Sequence, residues 1–178
     1  MLEVIKAIED CLENGAYLGA LALSLTIPDI CGQVESPGED NVGKRYRKWF
    51  DKYYFKYENA KNLEKGMLKN RFDGFICYQL RNSILHNGEI NEDIENELKI
   101  KYKINGDIKF TLFIPKNDES SAESLSVSDS NGIKNLSMNI NVISFCKKMI
   151  ANASWYYEEY KDSFPQNQIL VELDIKPK

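Results

Sequence analysis

The first part of the chain alternates between helical patterns of apolar residues and short polar breaks. Residues 1–13 place apolar side chains at helical spacing opposite charged ones, and Asn14-Gly15 ends the pattern. Residues 16–27 have almost no polar face, so a helix there must be covered on all sides, and we expect it to end near Pro28. The following Gly-, Pro- and acid-rich residues 32–43 are typical of a surface loop.

Two further helices are predicted over 44–57 and 72–88. The first carries an aromatic stripe of Tyr46, Trp49, Phe50, Tyr53 and Tyr57. The second carries a buried stripe of Phe72, Phe75, Ile76, Leu80 and Ile84. Asp73 is placed to cap the second helix and Asn87-Gly88 to end it, so His86 is expected in its last turn.

The hydrophobic period then changes from helical to alternating. Residues 98–104 and 108–114 alternate, which predicts two strands, and a three-residue loop between them keeps one apolar face. The serine-rich residues 116–132 are expected to form a mobile hairpin tip or excursion, and 136–142 a third strand. Helical spacing returns from Phe145 to Tyr160, and 169–175 is a further strand or a tail.

These elements predict one mainly α domain with a small antiparallel β-sheet insertion before the last long helix, α+β overall. The helical core would comprise 1–96 and 143–163, the insertion 97–142, and a C-terminal strand or tail 164–178. A chain of 178 residues, 43% of them hydrophobic, is long enough to bury one core.

Charge and hydropathy narrow the class of protein. A net charge of −4 excludes a uniformly basic nucleic-acid coat, but the helix at 44–57 is basic, and Lys44, Arg45, Arg47 and Lys48 are candidate contacts for an RNA backbone. The longest uncharged stretch, 14–28, is shorter than the roughly 20 residues of a membrane-spanning helix. The acidic N-terminal segment is unlike a signal peptide, so we expect a cytoplasmic protein with no membrane partner.

The sequence offers little for a metal or cofactor. Cys11, Cys31, Cys77 and Cys146 are far apart, form no Cys-x-x-Cys pair and have only one histidine to help them. They are typical of reduced core cysteines in a cytosolic protein. Because no acidic or histidine cluster, glycine-rich phosphate loop or Gly-x-Ser-x-Gly motif is present, no metal and no cofactor is expected.

The single histidine lies in "LRNSILHNG" (80–88), where Arg81 and Asn82 are followed by three residues and then His86. This spacing resembles the signature of the HEPN superfamily (higher eukaryotes and prokaryotes nucleotide-binding). The upstream segments "LALSLTIPDICG" and "RYRKWFDKYY" are similar to a bacterial branch of that superfamily. The resemblance covers the helical part of the chain, which would be a HEPN-like helical bundle, and does not extend to the β insertion.

The resemblance implies a homodimer that brings two copies of the motif into one cleft and cleaves RNA without a metal. Arg81 would stabilise the developing phosphate charge, Asn82 would orient a group by hydrogen bonding, and His86 would move protons. The implied substrates are single-stranded RNA or tRNA loops, and the implied roles are those of a toxin or defence effector with an antitoxin or regulatory protein as partner. Gly88 stands where some toxin members carry a tyrosine, so regulation by modifying that tyrosine is not expected.

Helix geometry limits how these groups can act together. Positions 82 and 86 share one face of an α-helix, whereas positions 81 and 86 are about 140° apart around it. Arg81 must therefore reach around the helix, or the groups must meet across a dimer. Attack by a ribose 2′-OH needs both a base and an acid, and a two-fold dimer supplies two histidines where one chain supplies one.

Each feature also has a simpler interpretation. A lone histidine ending a helix is often a cap-like or surface group, and the aromatic stripe at 44–57 is better suited to a core or dimer interface than to base stacking. The functional alternative is a non-catalytic HEPN-type dimerisation, nucleotide-binding or partner-docking module. A third hypothesis is a stress or defence scaffold whose sheet is the interaction surface.

Overall fold

The computed structural model describes residues 1–55, 72–87, 92–115 and 123–165. It confirms the predicted fold class: the described chain is mainly helical, and a three-stranded sheet precedes the last long helix. The first strand begins at Ile108, later than the expected start of the insertion at 97.

The first three helices are α1 (Leu2–Glu13), α2 (Tyr17–Ser24) and α3 (Ile27–Glu35). Helix α2 ends at Ser24, close to the predicted end near Pro28, and Pro28 itself lies in the first turn of α3, where its missing N–H is tolerated. The prediction of complete cover is wrong, since Leu18 of α2 is 67% exposed. The run Tyr17–Glu35 has the length and composition of a membrane span, and 44% of it is buried inside the protein.

Asn41 caps helix α4 (Val42–Trp49), since its side chain accepts a hydrogen bond from the Lys44 N–H. It continues as a π-helical turn over Phe50–Phe55. The predicted aromatic stripe is buried at each of its described positions: Tyr46, Trp49, Phe50 and Tyr53. Tyr57 lies outside the described residues. The stripe is therefore core, as its simpler interpretation predicts.

Helix α5 (Gly74–Asn82) carries the Arg-Asn pair, and a π-helical turn over Ser83–Asn87 follows it directly. The predicted cap is confirmed, since the Asp73 carboxylate accepts a hydrogen bond from the Ile76 N–H at 3.0 Å. Gly88, the expected stop, lies outside the described residues.

The predicted strand 98–104 is instead the second half of helix α6 (Glu92–Tyr102), so the predicted hairpin does not form. Ile94 and Leu98, four residues apart, face the core, whereas Ile100 is 79% exposed. Acidic residues lie in the first turn of α6 and lysines in the last, and at both ends these charges interact favourably with the helix dipole. These forces outweigh the local alternation of apolar residues.

The sheet contains β1 (Ile108–Phe113), β2 (Glu123–Ser130) and β3 (Ile133–Asn141), with β3 in the centre. β2 pairs antiparallel with β3, but β1 pairs parallel with it, so the sheet is mixed rather than antiparallel. The prediction of a mobile hairpin tip or excursion over 116–132 is wrong for residues 123–130, because they form β2. Residues 116–122 lie outside the described residues. A two-residue turn, Asn131-Gly132, joins β2 to β3 with positive φ angles of 54° and 81°.

The predicted last helix is confirmed as α7 (Val142–Tyr160), which packs against α1, α2 and α3. Asn141 caps it by accepting a hydrogen bond from the Ser144 N–H at 3.1 Å. The predicted strand or tail at 169–175 lies outside the described residues. Cys31, Cys77 and Cys146 are buried and Cys11 is half-buried, and all four are free thiols, as predicted.

Two glycines let α3, α4 and α5 approach closely. A Cβ on Gly32 of α3 would lie 2.9 Å from the Arg45 carbonyl oxygen of α4. A Cβ on Gly74 of α5 would lie 2.7 Å from the Arg47 carbonyl oxygen. Because these neighbours are backbone atoms, a larger residue would force the helices apart. The close packing brings the three helices together around Arg81.

Candidate active site

Arg81 is held by two side chains, one from another helix and one from its own. Its Nη2 donates to Asp29 Oδ2 at 3.0 Å, and its Nη1 donates to Asn82 Oδ1 at 3.1 Å. The side chains of Arg81 and Asp29 are 21% and 20% exposed. These two hydrogen bonds fix the orientation of the guanidinium, and about a fifth of the Arg81 side chain remains accessible to solvent.

Asp29 reaches Arg81 because of how α3 begins. The break after α2 and the proline in the first turn of α3 place Asp29 within that same turn. A carboxylate there interacts favourably with the helix dipole. Sequence reasoning missed this partner, which precedes Arg81 by 52 positions, and the only local signal was an acidic residue next to a helix-initiating proline.

An aromatic layer lies beneath the pair. The Tyr78 ring is 6.0 Å from the Arg81 guanidinium carbon and packs edge-on against Tyr46 at 5.2 Å. The Tyr46 hydroxyl and Cys77 Sγ are 3.3 Å apart in the buried interior. Burial raises the pKa values of both the Tyr46 phenol and the Cys77 thiol, so neither supplies an acid or base near neutral pH.

The cluster carries more positive than negative charge. Burial raises the pKa of Asp29, whereas the charge and hydrogen bond of Arg81 and the charge of Arg45 oppose that rise. The positive charges of Arg81 and Arg45 therefore both act on one carboxylate. Asp29 Oδ1, Arg81 Nε and Arg45 Nε are buried without hydrogen-bond partners among the described residues. The local excess of donors and positive charge suits an anion.

The predicted RNA-contacting residues Lys44, Arg45, Arg47 and Lys48 do not share one face. Lys44 and Lys48 line a groove of about 270 Å³ beside the loop that follows α3. Lys48 Nζ donates to Ser36 Oγ at 2.8 Å, and Lys44 lies 3.9 Å from the Glu39 carboxylate. The groove is mixed in charge, because Glu35 and Glu39 line it together with the lysines.

The two arginines of α4 point elsewhere. Arg45 donates to the Glu39 carbonyl oxygen at 3.2 Å, and its charge acts on Asp29, the partner of Arg81. Arg47 donates to the Gly43 carbonyl oxygen at 2.9 Å, and its guanidinium carbon is 5.9 Å from the Phe75 ring on α5. Of the four predicted residues, Arg45 alone is associated with the motif arginine.

The backbone of His86 lies within the π-helical turn Ser83–Asn87, and its side chain lies outside the described part of the structure. A π-helical turn is bonded from residue i to residue i+5, which moves positions five apart toward one face. The 140° that separates positions 81 and 86 in an ideal α-helix is therefore reduced here. Such turns occur frequently at functional sites.

A second polar cluster surrounds Glu35 at the other end of α3. Lys52 Nζ donates to one carboxylate oxygen at 2.6 Å, and the Tyr53 and Tyr156 hydroxyls donate to the other at 2.7 and 3.3 Å. Burial raises the pKa of Glu35, but the hydrogen bonds from Lys52 and Tyr53 outweigh it and hold the pKa below its ordinary value. These contacts tie α3 to the aromatic core and to α7.

Within the described residues, no group of three or more His, Cys, Asp or Glu side chains is arranged to hold a metal ion. Comparisons of the chain with protein-family models, curated proteins and solved structures found no match.

Proposed function

We propose that this protein is a HEPN-like, metal-independent endoribonuclease that acts as a cytoplasmic homodimer on single-stranded RNA or tRNA loops. Arg81 binds the scissile phosphate, Asn82 orients the guanidinium, and His86 transfers protons. The observation that carries the proposal is the Arg81 guanidinium held between Asp29 and Asn82 at the start of a π-helical turn that contains His86.

The fixed guanidinium suits phosphate chemistry. Guanidinium groups present five donors in a rigid fork, and Asp29 and Asn82 use two of those of Arg81. The donors that these two contacts do not use can then meet a phosphate with their orientation already set. Stabilisation of charge that develops on phosphate oxygens needs preorganised donors of this kind.

A dimer completes the chemistry. Cleavage by the ribose 2′-OH requires removal of its proton and protonation of the leaving 5′ oxygen. Each chain has one histidine, so a two-fold axis near the motif would place two histidines and two arginines around one phosphate. Lys44 and Lys48, both exposed on α4, would contribute to attraction of the RNA backbone.

The second candidate is a non-catalytic module for dimerisation, nucleotide binding or partner docking. The burial of about four-fifths of the Arg81 side chain favours it, because a buried Arg–Asp pair is also a common structural contact. In that case the ion pair would hold α3 against α5 and bind no phosphate. A toxin or defence role, with an antitoxin or regulatory protein as partner, belongs to the first candidate and predicts growth inhibition on expression.

The deciding experiment is cleavage of pooled cellular RNA in the presence of EDTA. Wild type is compared with Arg81→Ala, His86→Ala and the control Lys6→Ala, which removes an exposed charge on α1. Folding is checked by circular dichroism and the dimer by light scattering. We expect cleavage by wild type and Lys6→Ala and its loss in the other two variants. Equal cleavage by all four proteins would indicate contamination, and none by any intact dimer would favour the binding module.

A further inference from the structure

We propose that Asp29 is a positioning residue of this site: it touches no substrate and fixes the Arg81 guanidinium in the orientation that binds the scissile phosphate. This inference rests on the proposed ribonuclease function. Asp29 lies outside the local Arg-Asn-His motif and would extend the functional unit from one helix to two.

Hydrogen bonds on both terminal nitrogens hold the Arg81 guanidinium in place. Its two terminal nitrogens are bonded in different directions, Nη2 to Asp29 on α3 and Nη1 to Asn82 on α5. Tyr78 supports the guanidinium group from below at 6.0 Å. Rotation about the Nε–Cζ bond would break both hydrogen bonds at once, so the plane of the group is fixed before any ligand arrives.

Asp29 is itself held in a fixed position by the way α3 packs. The residue sits in the first turn of a helix whose start is defined by Pro28, and Gly32 one turn later seats α3 against the α4 backbone at Arg45. Asp29 is therefore held by backbone packing rather than by a flexible loop. A support fixed to this degree can hold a catalytic side chain within the small tolerance that positioning requires.

The net charge of Arg81, Asp29 and Arg45 favours an anion. If Asp29 were the only charged neighbour of Arg81, the pair would be neutral and attract an anion weakly. The charge of Arg45 also acts on Asp29, and Arg45 forms no ion pair with a carboxylate in the described part of the chain. The cluster keeps one net positive charge, which suits the single negative charge of an RNA phosphodiester.

The test compares Asp29→Asn, which keeps the shape of the side chain and removes its charge, with Asp29→Glu and the exposed control Asp10→Asn. Rates of RNA cleavage are measured against substrate concentration. We expect Asp29→Asn to lower kcat by about 10- to 100-fold with little change in KM, because a small misplacement of a catalytic group has effects of that size. Asp29→Glu should recover part of kcat, and Asp10→Asn should match wild type.

Two further measurements separate positioning from a purely structural role. In the NMR spectrum, the two Nη groups of Arg81 should give distinct signals in wild type, because guanidinium rotation is hindered, and should merge in Asp29→Asn. Adding Asp29→Asn to Arg81→Ala should leave unchanged the residual cleavage that Arg81→Ala shows at high enzyme concentration, since Asp29 acts through Arg81.

The outcomes distinguish this inference from the proposed function. An active wild type whose kcat is unchanged by Asp29→Asn, or whose Arg81 signals do not merge, would overturn the positioning role and leave the ribonuclease intact. A wild type that cleaves no RNA would overturn the ribonuclease and make the ion pair a structural contact. A loss of kcat in Asp29→Asn that is additive with Arg81→Ala would also overturn it, because the carboxylate would then act independently of Arg81.

Discussion

Gly74→Ala tests whether the close approach of α4 and α5 sets the geometry around Arg81. The new Cβ would lie 2.7 Å from the Arg47 carbonyl oxygen and 2.9 Å from the Arg47 Cα, whereas ordinary contacts begin near 3.4 Å. The two helices would have to separate locally by about 0.7 Å. Since the opposing atoms belong to the α4 backbone, no side-chain rotation can relieve the contact.

The cost follows from three contributions. Overpacking in a well-packed region costs about 1–3 kcal/mol. The hydrogen bond from the Gly74 N–H to the Asp51 carboxylate, 2.7 Å long, would weaken as the helices separate, at a cost of roughly 0.5–1.5 kcal/mol. Loss of glycine's freedom in the unfolded chain offsets about 0.4–1 kcal/mol. We therefore expect a net destabilisation of about 2 kcal/mol, within a range of roughly 0.5–4 kcal/mol, and a Tm lower by roughly 4–8 °C.

Urea and thermal denaturation measure this effect directly, with Gly38→Ala as the matched control. A Cβ on Gly38 meets nothing within 4 Å, so that variant should equal or slightly exceed wild type in stability. If Gly74→Ala were as stable as Gly38→Ala, the α4–α5 approach would not be as tight as the glycine contact indicates. The helix packing offered as the basis of the Arg81 cluster would then be refuted.

Two further predictions concern stability at the borders of the core. Because the pKa of Glu35 in the folded protein lies below its ordinary value of 4.5, its carboxylate adds stability above that pH and loses it as pH falls through the lower folded value. The difference in urea midpoint between wild type and Glu35→Gln should therefore be larger at pH 7 than below pH 4, and a pH-independent difference would contradict this. Asn141→Ala should cost about 1 kcal/mol by removing the α7 cap, and Asn141→Asp, which can still accept from the Ser144 N–H, should retain most of the stability in the same assay.

Elements with a complete amphipathic pattern and a recognisable cap could be predicted from the sequence. α1 ends at its Asn-Gly pair, α5 begins at Asp73, and the long stripe of α7 specifies one buried face. Helix α6 could not be predicted in the same way, because Leu98, Ile100 and Tyr102 alternate as a strand does. What decides the structure is that Ile94 and Leu98 are buried on one helical face while Ile100 is exposed to solvent. Local alternation does not indicate which face packs against the core.

The sheet shows the same limit at longer range. Alternation correctly identified β1 and β3 as strands, but their pairing joins Ile108 to Leu136 in parallel, across 28 positions of sequence. The predicted three-residue loop at 105–107 would have joined two adjacent strands, whereas the turn Asn131-Gly132 joins β2 to β3. Turn residues predict a reversal of the chain but do not specify what lies on either side of it.

The Arg81 site depends on a contact that a spacing motif cannot contain. The Arg81 side chain is four-fifths buried, and a buried guanidinium is costly to desolvate without a carboxylate beside it. The need for a carboxylate does not specify where in the sequence that carboxylate lies, and in this fold it belongs to Asp29. Because Asp29 and Asn82 use two of the five guanidinium donors, the ion pair does not prevent Arg81 from donating to a phosphate. The structural and catalytic interpretations of the pair therefore predict the same contacts, and they are separated by RNA cleavage and by its dependence on the Asp29 charge.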